Sequence, residues 1–136
     1  MYSREIRIEF NHCDPAGIVF FPRYFEILNS QVENFFRDAL ECPFEKLILI
    51  ERFGVPTVHF EIDFLAPSRL GELVTFRLDV QAIGRASVDF HHRATGPDGI
   101  TRLTATQRIV WVTPEGRSAP WPGSLRARLT AHRPAD

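Results

Sequence analysis

An aspartate at the start of a predicted turn is the residue whose surroundings most suggest chemistry. Asp14 is followed by Pro-Ala-Gly within residues 11–21, a stretch without helical or strand periodicity that we interpret as a structured loop. A carboxylate held in such a loop can act as a nucleophile or as a general base for water. Aspartate before proline is also a common turn residue whose side chain bonds to its own backbone. The residues alone leave both interpretations open.

The helix predicted after this loop begins without a side-chain cap. Apolar residues recur at three- and four-residue spacing over residues 22–40, which is the period of an amphipathic helix, and Pro22 suits its first turn. No Ser, Thr, Asp or Asn occurs among residues 15–21 to bond the first N–H groups. Because these groups carry the positive end of the helix dipole, we expect them to be free for a negatively charged ligand atom.

Cysteine and histidine side chains offer other chemistry. Cys13 is a possible nucleophile, but a free cysteine is more often a small buried apolar side chain, and no base is paired with it in the sequence. His59, on a predicted strand, is a candidate to face a pocket and assist catalysis. His12, His91 and His92 are open to the same interpretation, although a surface or hydrogen-bonded role is the commoner one for a single histidine.

The remaining pattern predicts an α+β fold with one antiparallel sheet. Residues 4–10 alternate between charged and apolar side chains, as a half-buried strand does. Residues 44–53 are interpreted as a second short helix or an ordered connection. Short connections make the last three of four later strands antiparallel neighbours. These four strands are predicted over residues 56–65, 73–83, 86–95 and 100–113.

The length and element order predict one domain over residues 1–136, with residues 114–136 as a tail that packs on the outside. This tail includes a short helical candidate at residues 124–132. One helix covers one face of a sheet and leaves the other face and the edge strands open. We therefore expect a homo-oligomer that pairs through an edge or through the uncovered face.

Composition disfavours several classes of partner and site. The net charge is −1 and the sequence pI about 6.5, so no strong positive field attracts nucleic acid or an anionic membrane surface. The first residues lack the pattern of a secretory signal, and no apolar stretch approaches the ~20 residues of a membrane span. A cytoplasmic protein is expected. Two cysteines are too few for a disulfide framework, and no structural metal site is expected.

Residues 11–25 resemble the loop-to-helix signature of the 4-hydroxybenzoyl-CoA thioesterases of the hot-dog superfamily. The core Asp-Pro-Ala-Gly-Ile-Val, residues 14–19, matches outright, and the element order agrees over roughly the first 113 residues. The resemblance implies a hot-dog fold, in which a five-stranded antiparallel sheet wraps one long central helix. It also implies hydrolysis of an acyl-CoA thioester to the free acid and CoA, without a cofactor. The assembly implied is a dimer or a pair of dimers, with active sites at a dimer interface.

The resemblance assigns roles to particular residues. Asp14 takes the place of the catalytic carboxylate, and the backbone N–H of Phe21 takes the place of the donor that polarises the thioester carbonyl. Arg85 and Ser87 are candidates to hold the phosphates of coenzyme A, because arginine binds phosphate bidentately. Candidate contacts of the acyl group are Gly17, Tyr24, Phe25, Asn29, Val55, Thr57 and His59.

Two positions depart from the pattern of the family and bear on the acyl group. Type members carry a carboxylate on the inner face of the long helix and a threonine near the start of the second strand, and Asn29 and Val55 are placed there. The expected substrate is therefore an aromatic acyl-CoA, such as the 4-hydroxybenzoyl or benzoyl ester, or another short to medium acyl-CoA. A hydratase or dehydratase of enoyl thioesters and a non-catalytic acyl-CoA binding module are the alternatives.

Overall fold

The computed structural model describes residues 1–134 as a five-stranded antiparallel sheet with helices packed on one face. The strand order is β1-β3-β4-β5-β2, so β1 and β2 are the edge strands. The predicted α+β architecture is confirmed. In chain order the elements are β1 (Tyr2–Arg7), α1 (Pro22–Asp38), β2 (Thr57–Phe64), β3 (Leu73–Ile83), β4 (Ser87–Thr95), β5 (Thr101–Val110) and α2 (Gly123–Ala131).

The first strand ends earlier than predicted, and the short helix or ordered connection expected after α1 is present. The first strand ends at Arg7 rather than at residue 10, because residues Phe10–His12 form a 3-10 turn that opens the Asp14 loop. The connection predicted over residues 44–53 is a π-helix, Glu45–Ile50. Every residue before Ala135 and Asp136 is described, and these last two residues of the predicted tail lie outside the described part.

The core lies between the sheet and α1. One cluster of buried side chains surrounds the carboxyl-terminal half of α1, where Phe35 and Phe36 meet Val80 of β3 and Phe90 of β4. A second cluster surrounds the first half of α1 and reaches the loop that follows β1. The opposite face of the sheet is polar, as shown by the ion pair between Arg108 and Asp89. The amphipathic pattern of α1 therefore predicts correctly which side of the sheet is buried.

The tail packs on the rest of the domain and contributes side chains to its core. Trp121, Leu125 and Leu129 are buried in the same cluster as Phe35, and the indole Nε1–H of Trp121 donates to the backbone oxygen of Ser87. One 17-residue helix is too short to cover the whole sheet face, so α2 covers the end that α1 leaves open. None of the described helices is long and apolar enough to cross a membrane.

A buried arginine holds together three chain segments at one end of the sheet. The side chain of Arg102, on β5, is 4% exposed and forms ion pairs with Glu72 and Asp98, each at 2.8 Å. Its Nη1–H also donates to the backbone oxygen of Pro67 at 2.7 Å. Gly96 is required beside it, because a Cβ there would collide with the guanidinium. The pKa values of Glu72 and Asp98 are lowered mainly by their hydrogen bonds to Arg102.

We expect Arg102→Met to lower the free energy of unfolding by about 3 kcal/mol, because removal of one partner leaves a partly buried carboxylate without compensation. Arg108→Met is the matched control, since Arg108 makes a similar two-point pair with Asp89 but is 51% exposed. It should cost less than about 1 kcal/mol. Urea unfolding followed by circular dichroism measures both values. Equal losses in the two variants would contradict the structural role of Arg102.

Candidate active site

Asp14 forms a tight turn that uses one of its two carboxylate oxygens. Oδ1 accepts the backbone N–H of Ala16 at 2.9 Å, and the backbone oxygen of Asp14 accepts the N–H of Gly17 at 3.0 Å. Gly17 has a φ of +77°, a conformation that glycine adopts without strain. Asp14 is half-buried, and no hydrogen bond within residues 1–134 engages Oδ2. The turn interpretation is thus correct, and it leaves one carboxylate oxygen available for chemistry.

The residues before Asp14 are oriented by the backbone rather than by the carboxylate. His12 Nδ1 accepts the backbone N–H of Glu9 at 2.9 Å, so the ring belongs to the 3-10 turn. The thiol of Cys13 lies 3.5 Å from the backbone oxygen of Glu9. Desolvation, with the nearby Asp14 carboxylate as a second cause, raises the pKa of Cys13. The thiol therefore stays protonated at neutral pH, which favours the apolar interpretation of Cys13.

The start of α1 keeps one amide free. Phe21 occupies the N-cap position without a side-chain hydrogen bond, and Pro22 has no N–H to offer. The next two amides are used locally, since Arg23 N–H donates to Phe20 and Tyr24 N–H donates to Phe21. No hydrogen bond of the described residues uses the N–H of Phe21. The uncapped start predicted from the sequence is present, and a single amide rather than the whole first turn is left for a ligand.

A second loop forms backbone hydrogen bonds with the residues that follow Asp14. The backbone N–H of Val19 donates to Ser68, the N–H of Leu70 donates to Gly17, and Ile18 pairs with Arg69 across the same junction. This loop, residues 66–72, is the segment whose Pro67 oxygen is bound by Arg102. The position of Asp14 therefore depends on backbone pairing between two segments that are far apart in the sequence.

A cavity of about 400 Å³ lies between α1 and β2, and we call it the α1–β2 cavity. Phe25 and Phe60 form apolar walls, with ring centroids 5.2 Å apart. Phe25 and Asn29 lie four and eight residues after Phe21, so the cavity begins within about 12 Å of the free amide along the axis of α1. The residues that line the cavity are Phe25, Glu26, Asn29, Thr57, Phe60 and Gln107.

A β-bulge decides which residues of β2 face this cavity. The pairing of β2 with β5 shifts between Thr57 and His59, so that His59 lies opposite Arg108 and Phe60 lies opposite Gln107. The extra residue reverses the alternation of side chains, which places Thr57 and Phe60 on the same face. His59 faces away and lies 3.1 Å from Glu61, with both side chains exposed. Strict alternation would place His59 on the same face as Thr57, and because of the bulge His59 does not line the α1–β2 cavity. A contact between His59 and the acyl group stays a prediction.

Two other predicted contacts of the acyl group lie in the core. Val55 packs against the cluster around Phe35, and the cavity position expected for it is occupied by Thr57 instead. Tyr24 is 4% exposed and belongs to the second cluster, where burial raises the pKa of its hydroxyl. Gly17 lies in the Asp14 turn rather than in the cavity wall. The predictions of Phe25, Asn29 and Thr57 agree with the lining of the cavity.

Three residues that line the cavity were missed from the sequence. Phe60 lies on the inner face only because of the bulge, and Glu26 follows Phe25 at the start of α1. Gln107 lies in the middle of β5, where a polar residue among Ala105 and Ile109 is the signal that could have identified it. Gln107 bonds to His92, which is 1% exposed. Burial lowers the pKa of His92 to about 4, so its ring is neutral in the folded protein.

The candidate residues for coenzyme A lie at the β3–β4 turn. Arg85 is exposed, and its backbone oxygen accepts the N–H of Trp121. Arg126, from α2, binds the backbone oxygen of Gly84 at 2.6 Å, which brings a second cation to this turn. The backbone oxygen of Ser87 accepts the N–H of Gly84. The turn thus offers two cations at one surface position, and a role in binding phosphate stays a prediction.

Comparison with known proteins gives a consistent set of relatives. The model of the thioesterase-like superfamily matches residues 8–129. The 4-hydroxybenzoyl-CoA thioesterase of Pseudomonas sp. (strain CBS-3) is 32% identical over 101 residues, which are 71% of this chain and 71% of that protein. The 1,4-dihydroxy-2-naphthoyl-CoA hydrolase of Synechocystis sp. is 24% identical over 123 residues, or 89% and 87% of the two chains. A gentisyl-coenzyme A thioesterase structure matches with a TM-score of 0.85 and 25% identity, covering 94% of this chain and 99% of that one.

The buried His92 should make the protein sensitive to acid. Its pKa falls from 6.5 to about 4 on folding, so its contribution to stability is complete above pH 6.5 and is lost as the pH falls towards 4. The loss is on the order of 3 kcal/mol. We expect His92→Phe to remove one proton from the pH dependence of the unfolding free energy, measured by urea titrations between pH 4 and 7. Parallel curves for wild type and variant would contradict a neutral, buried His92.

Proposed function

Because the chain belongs to the thioesterase-like superfamily, we propose that this thioesterase hydrolyses aromatic acyl-CoA thioesters to the free acid and coenzyme A. The observation that carries the proposal is that one loop ends in two unused groups: Asp14 keeps one free carboxylate oxygen, and the N–H of Phe21 at the start of α1 makes no hydrogen bond within the described residues. The resemblance to the 4-hydroxybenzoyl-CoA thioesterase family, first seen in residues 11–25, is confirmed by the family match and by a relative of that name.

The two groups divide the reaction between them. Asp14 either attacks the thioester carbonyl carbon through its free oxygen or removes a proton from the water that attacks it. In both routes the carbonyl oxygen becomes an oxyanion, which accepts the N–H of Phe21 at the positive end of α1. Collapse of the tetrahedral intermediate breaks the carbon–sulfur bond and releases the thiolate of CoA. In the covalent route, water then hydrolyses the anhydride formed with Asp14.

The α1–β2 cavity supports an aromatic acyl group. Phe25 and Phe60 offer flat apolar surfaces, and Asn29 and Thr57 add polar groups to the same wall. The names of the relatives specify 4-hydroxybenzoyl, 1,4-dihydroxy-2-naphthoyl and gentisyl groups, which are all aromatic. Asn29 and Thr57 both line the cavity, so it contains a polar pair. The sequence analysis assigned the threonine position of this pair to Val55 instead. Hydroxylated aromatic acids are therefore the substrates that we favour.

Arg85 and Ser87 are proposed to contact the phosphates of coenzyme A, with Arg126 as a neighbouring cation. Arginine suits this role because its planar guanidinium binds phosphate oxygens in pairs. Coenzyme A enters as part of the substrate, and the proposal uses no further cofactor or metal. A location in the cytoplasm, expected from the sequence, also stays a prediction.

A second copy of the chain is proposed to complete the site. The edge strand β2 has no partner on its outer side within residues 1–134. Val58 on this strand is 58% exposed, and Leu65 directly after it is 59% exposed. Phe20, Phe21 and Phe64 form an exposed aromatic group at the start of α1. Unpaired edges and apolar patches of this kind are normally covered in folded proteins. Pairing of two β2 edges would cover both and bring two Asp14 turns near one interface.

Asp14→Asn is the variant that separates charge from structure. Asparagine retains a side-chain oxygen that can accept the N–H of Ala16, so the turn should persist while the carboxylate is lost. We expect thiol release from benzoyl-CoA and 4-hydroxybenzoyl-CoA to fall by about a thousandfold or more, because neither attack nor proton removal remains. The measurement is release of CoA thiol, detected with a colorimetric disulfide reagent.

Asp89→Asn, on the polar face of the sheet, serves as the control and should hydrolyse both esters at the wild-type rate. A wild-type rate for Asp14→Asn would exclude the proposed role of Asp14. With an enoyl-CoA ester as the substrate, loss of its absorbance without thiol release would favour a hydratase. Saturable binding of the esters without any reaction would favour a binding module.

Sedimentation velocity should show at least a dimer for the wild-type protein. Val58→Asp and Leu65→Asp place charges on the outer side of β2 and should shift the protein towards monomer while reducing activity, since the site is proposed to form at the interface. Leu49→Asp is the matched control, because Leu49 is even more exposed, at 74%, but lies on the π-helix. Monomeric wild-type protein with full activity would rule out a shared site.

A further inference from the structure

Three hydrogen-bonded side chains run from the interior of the sheet to the α1–β2 cavity. His92 Nε2 lies 2.8 Å from Oε1 of Gln107, and both residues are 1% exposed. Gln107 Nε2–H donates to Oγ1 of Thr57 at 2.8 Å. Thr57 is exposed in the cavity wall. The chain therefore connects a buried ring to a hydroxyl that a ligand can reach.

Burying the polar groups of His92 and Gln107 costs free energy that apolar side chains at these two positions would not cost. The ring of His92 lies among aromatic side chains, with centroids 6.3 Å from Phe60 and 6.5 Å from Phe90. Its Nδ1 is buried and has no hydrogen-bond partner among residues 1–134. Two apolar side chains would occupy the same sheet positions without desolvating an amide and an imidazole. A requirement at Thr57, where the chain reaches the cavity, would explain why the polar residues are there.

The buried ring of His92 determines which group donates and which accepts in each hydrogen bond from His92 to Gln107 and Thr57. If Gln107 presents Oε1 to His92, then Nε2 of the ring carries the hydrogen and Nδ1 is a bare lone pair. If the amide were reversed, the hydrogen would sit on Nδ1, where a buried N–H would have no acceptor. An orphaned N–H is rarer in proteins than an unsatisfied acceptor, so the first arrangement is favoured. Thr57 Oγ1 then accepts from Gln107, and its own hydrogen is free to point into the cavity.

We propose that Gln107 and His92 are positioning residues that keep the Thr57 hydroxyl hydrogen directed into the α1–β2 cavity, where it selects aromatic acyl groups that carry an oxygen acceptor. The inference rests on the proposed function, because it assigns a substrate class to the same site. Phe25 and Phe60 pack against the aromatic ring of the acyl group, and the Thr57 hydroxyl donates a hydrogen bond to the substituent of that ring. Neither Gln107 nor His92 touches the reacting carbonyl.

The test compares two esters of nearly equal size, methoxybenzoyl-CoA and ethylbenzoyl-CoA, each substituted at the 3- or the 4-position. The methoxy oxygen accepts a hydrogen bond and the ethyl group does not. Wild-type protein should favour the methoxy ester in kcat/KM by about tenfold at one of the two positions, which is the upper range for one hydrogen bond. Gln107→Leu, His92→Leu and Thr57→Val should each remove most of this preference.

Gln107→Glu gives the sharpest prediction. An ionised carboxylate can only accept, so in assays at a pH high enough to ionise this buried side chain His92 and Thr57 would both donate to it. The Thr57 hydrogen would then turn away from the cavity. The preference for the methoxy ester should then disappear although a polar side chain remains at position 107. Gln31→Leu is the matched control, because Gln31 is equally buried but donates to Phe76 on β3. Its methoxy-to-ethyl ratio should equal that of wild type.

A double-mutant cycle tests whether Gln107 acts through Thr57. Gln107→Leu combined with Thr57→Val should lower the ratio no further than either change alone. Additive losses, or an unchanged ratio in Gln107→Glu, would overturn the inference. If Gln107→Leu does not fold, Gln107→Leu combined with His92→Phe leaves no unpaired amide or ring and replaces it in the cycle.

Binding separates the failure of this inference from the failure of the proposed function. The dissociation constants of both esters are measured by calorimetry on Asp14→Asn, with and without Gln107→Glu. Thiol release with a ratio that Gln107→Glu leaves unchanged overturns the inference alone. If no thiol is released but the methoxy ester binds more tightly and Gln107→Glu abolishes this preference, the proposed hydrolysis is overturned and the inference is supported. Equal binding of the two esters to Asp14→Asn overturns the inference whatever the rate of hydrolysis.

Discussion

The placement of the Asp14 turn depends on one buried charge, the guanidinium of Arg102. Its hydrogen bond to Pro67 and its ion pairs with Glu72 and Asp98 fix the loop of residues 66–72 against the start of β5. That loop in turn pairs with the backbone on either side of Gly17. A charge in this position is stable only while its partners stay in place, so the loop has little freedom to move. The carboxylate is therefore positioned by an interaction that it does not take part in.

The two groups proposed to react, the Asp14 carboxylate and the N–H of Phe21, are supplied by ordinary local structures. The Asp14 turn satisfies its own backbone with one carboxylate oxygen and leaves the other free. The start of α1 satisfies two of its first amides internally, and Pro22 removes a third donor, which leaves the N–H of Phe21. Thioester cleavage needs little more than these two groups, because a thiolate leaves readily. Specificity must then come from the surroundings of the acyl group rather than from the reacting centre.

The walls of the α1–β2 cavity show how the sheet supplies that specificity. The bulge in β2 brings Thr57 and Phe60 to the same side, so a hydroxyl and an aromatic ring face α1 together. Behind them, Gln107 and His92 continue the polar contact into a core that is otherwise apolar. The same strand leaves its outer edge unpaired. One strand thus serves both the cavity and the surface proposed for a second copy.

The sequence by itself determined the local structures, and the resemblance of residues 11–25 to a thioesterase signature implied the type of reaction. The period of α1 predicted its length and buried face, the uncapped start predicted a free amide, and residues 14–19 identified the turn. These features depend on neighbours in the chain, which is why they can be read from spacing alone. Their predicted roles in catalysis stay predictions.

Only the tertiary structure decided which distant residues meet. Because of the bulge, Phe60 rather than His59 lines the cavity. Val55 and Tyr24 pack in the core, and α2 contributes Leu125 and Leu129 to it. Gln107 is hydrogen-bonded to His92 and Thr57, which lie on two other strands. Strand register and packing between remote segments set these contacts, because shifting one strand by a single residue exchanges every side chain between its two faces.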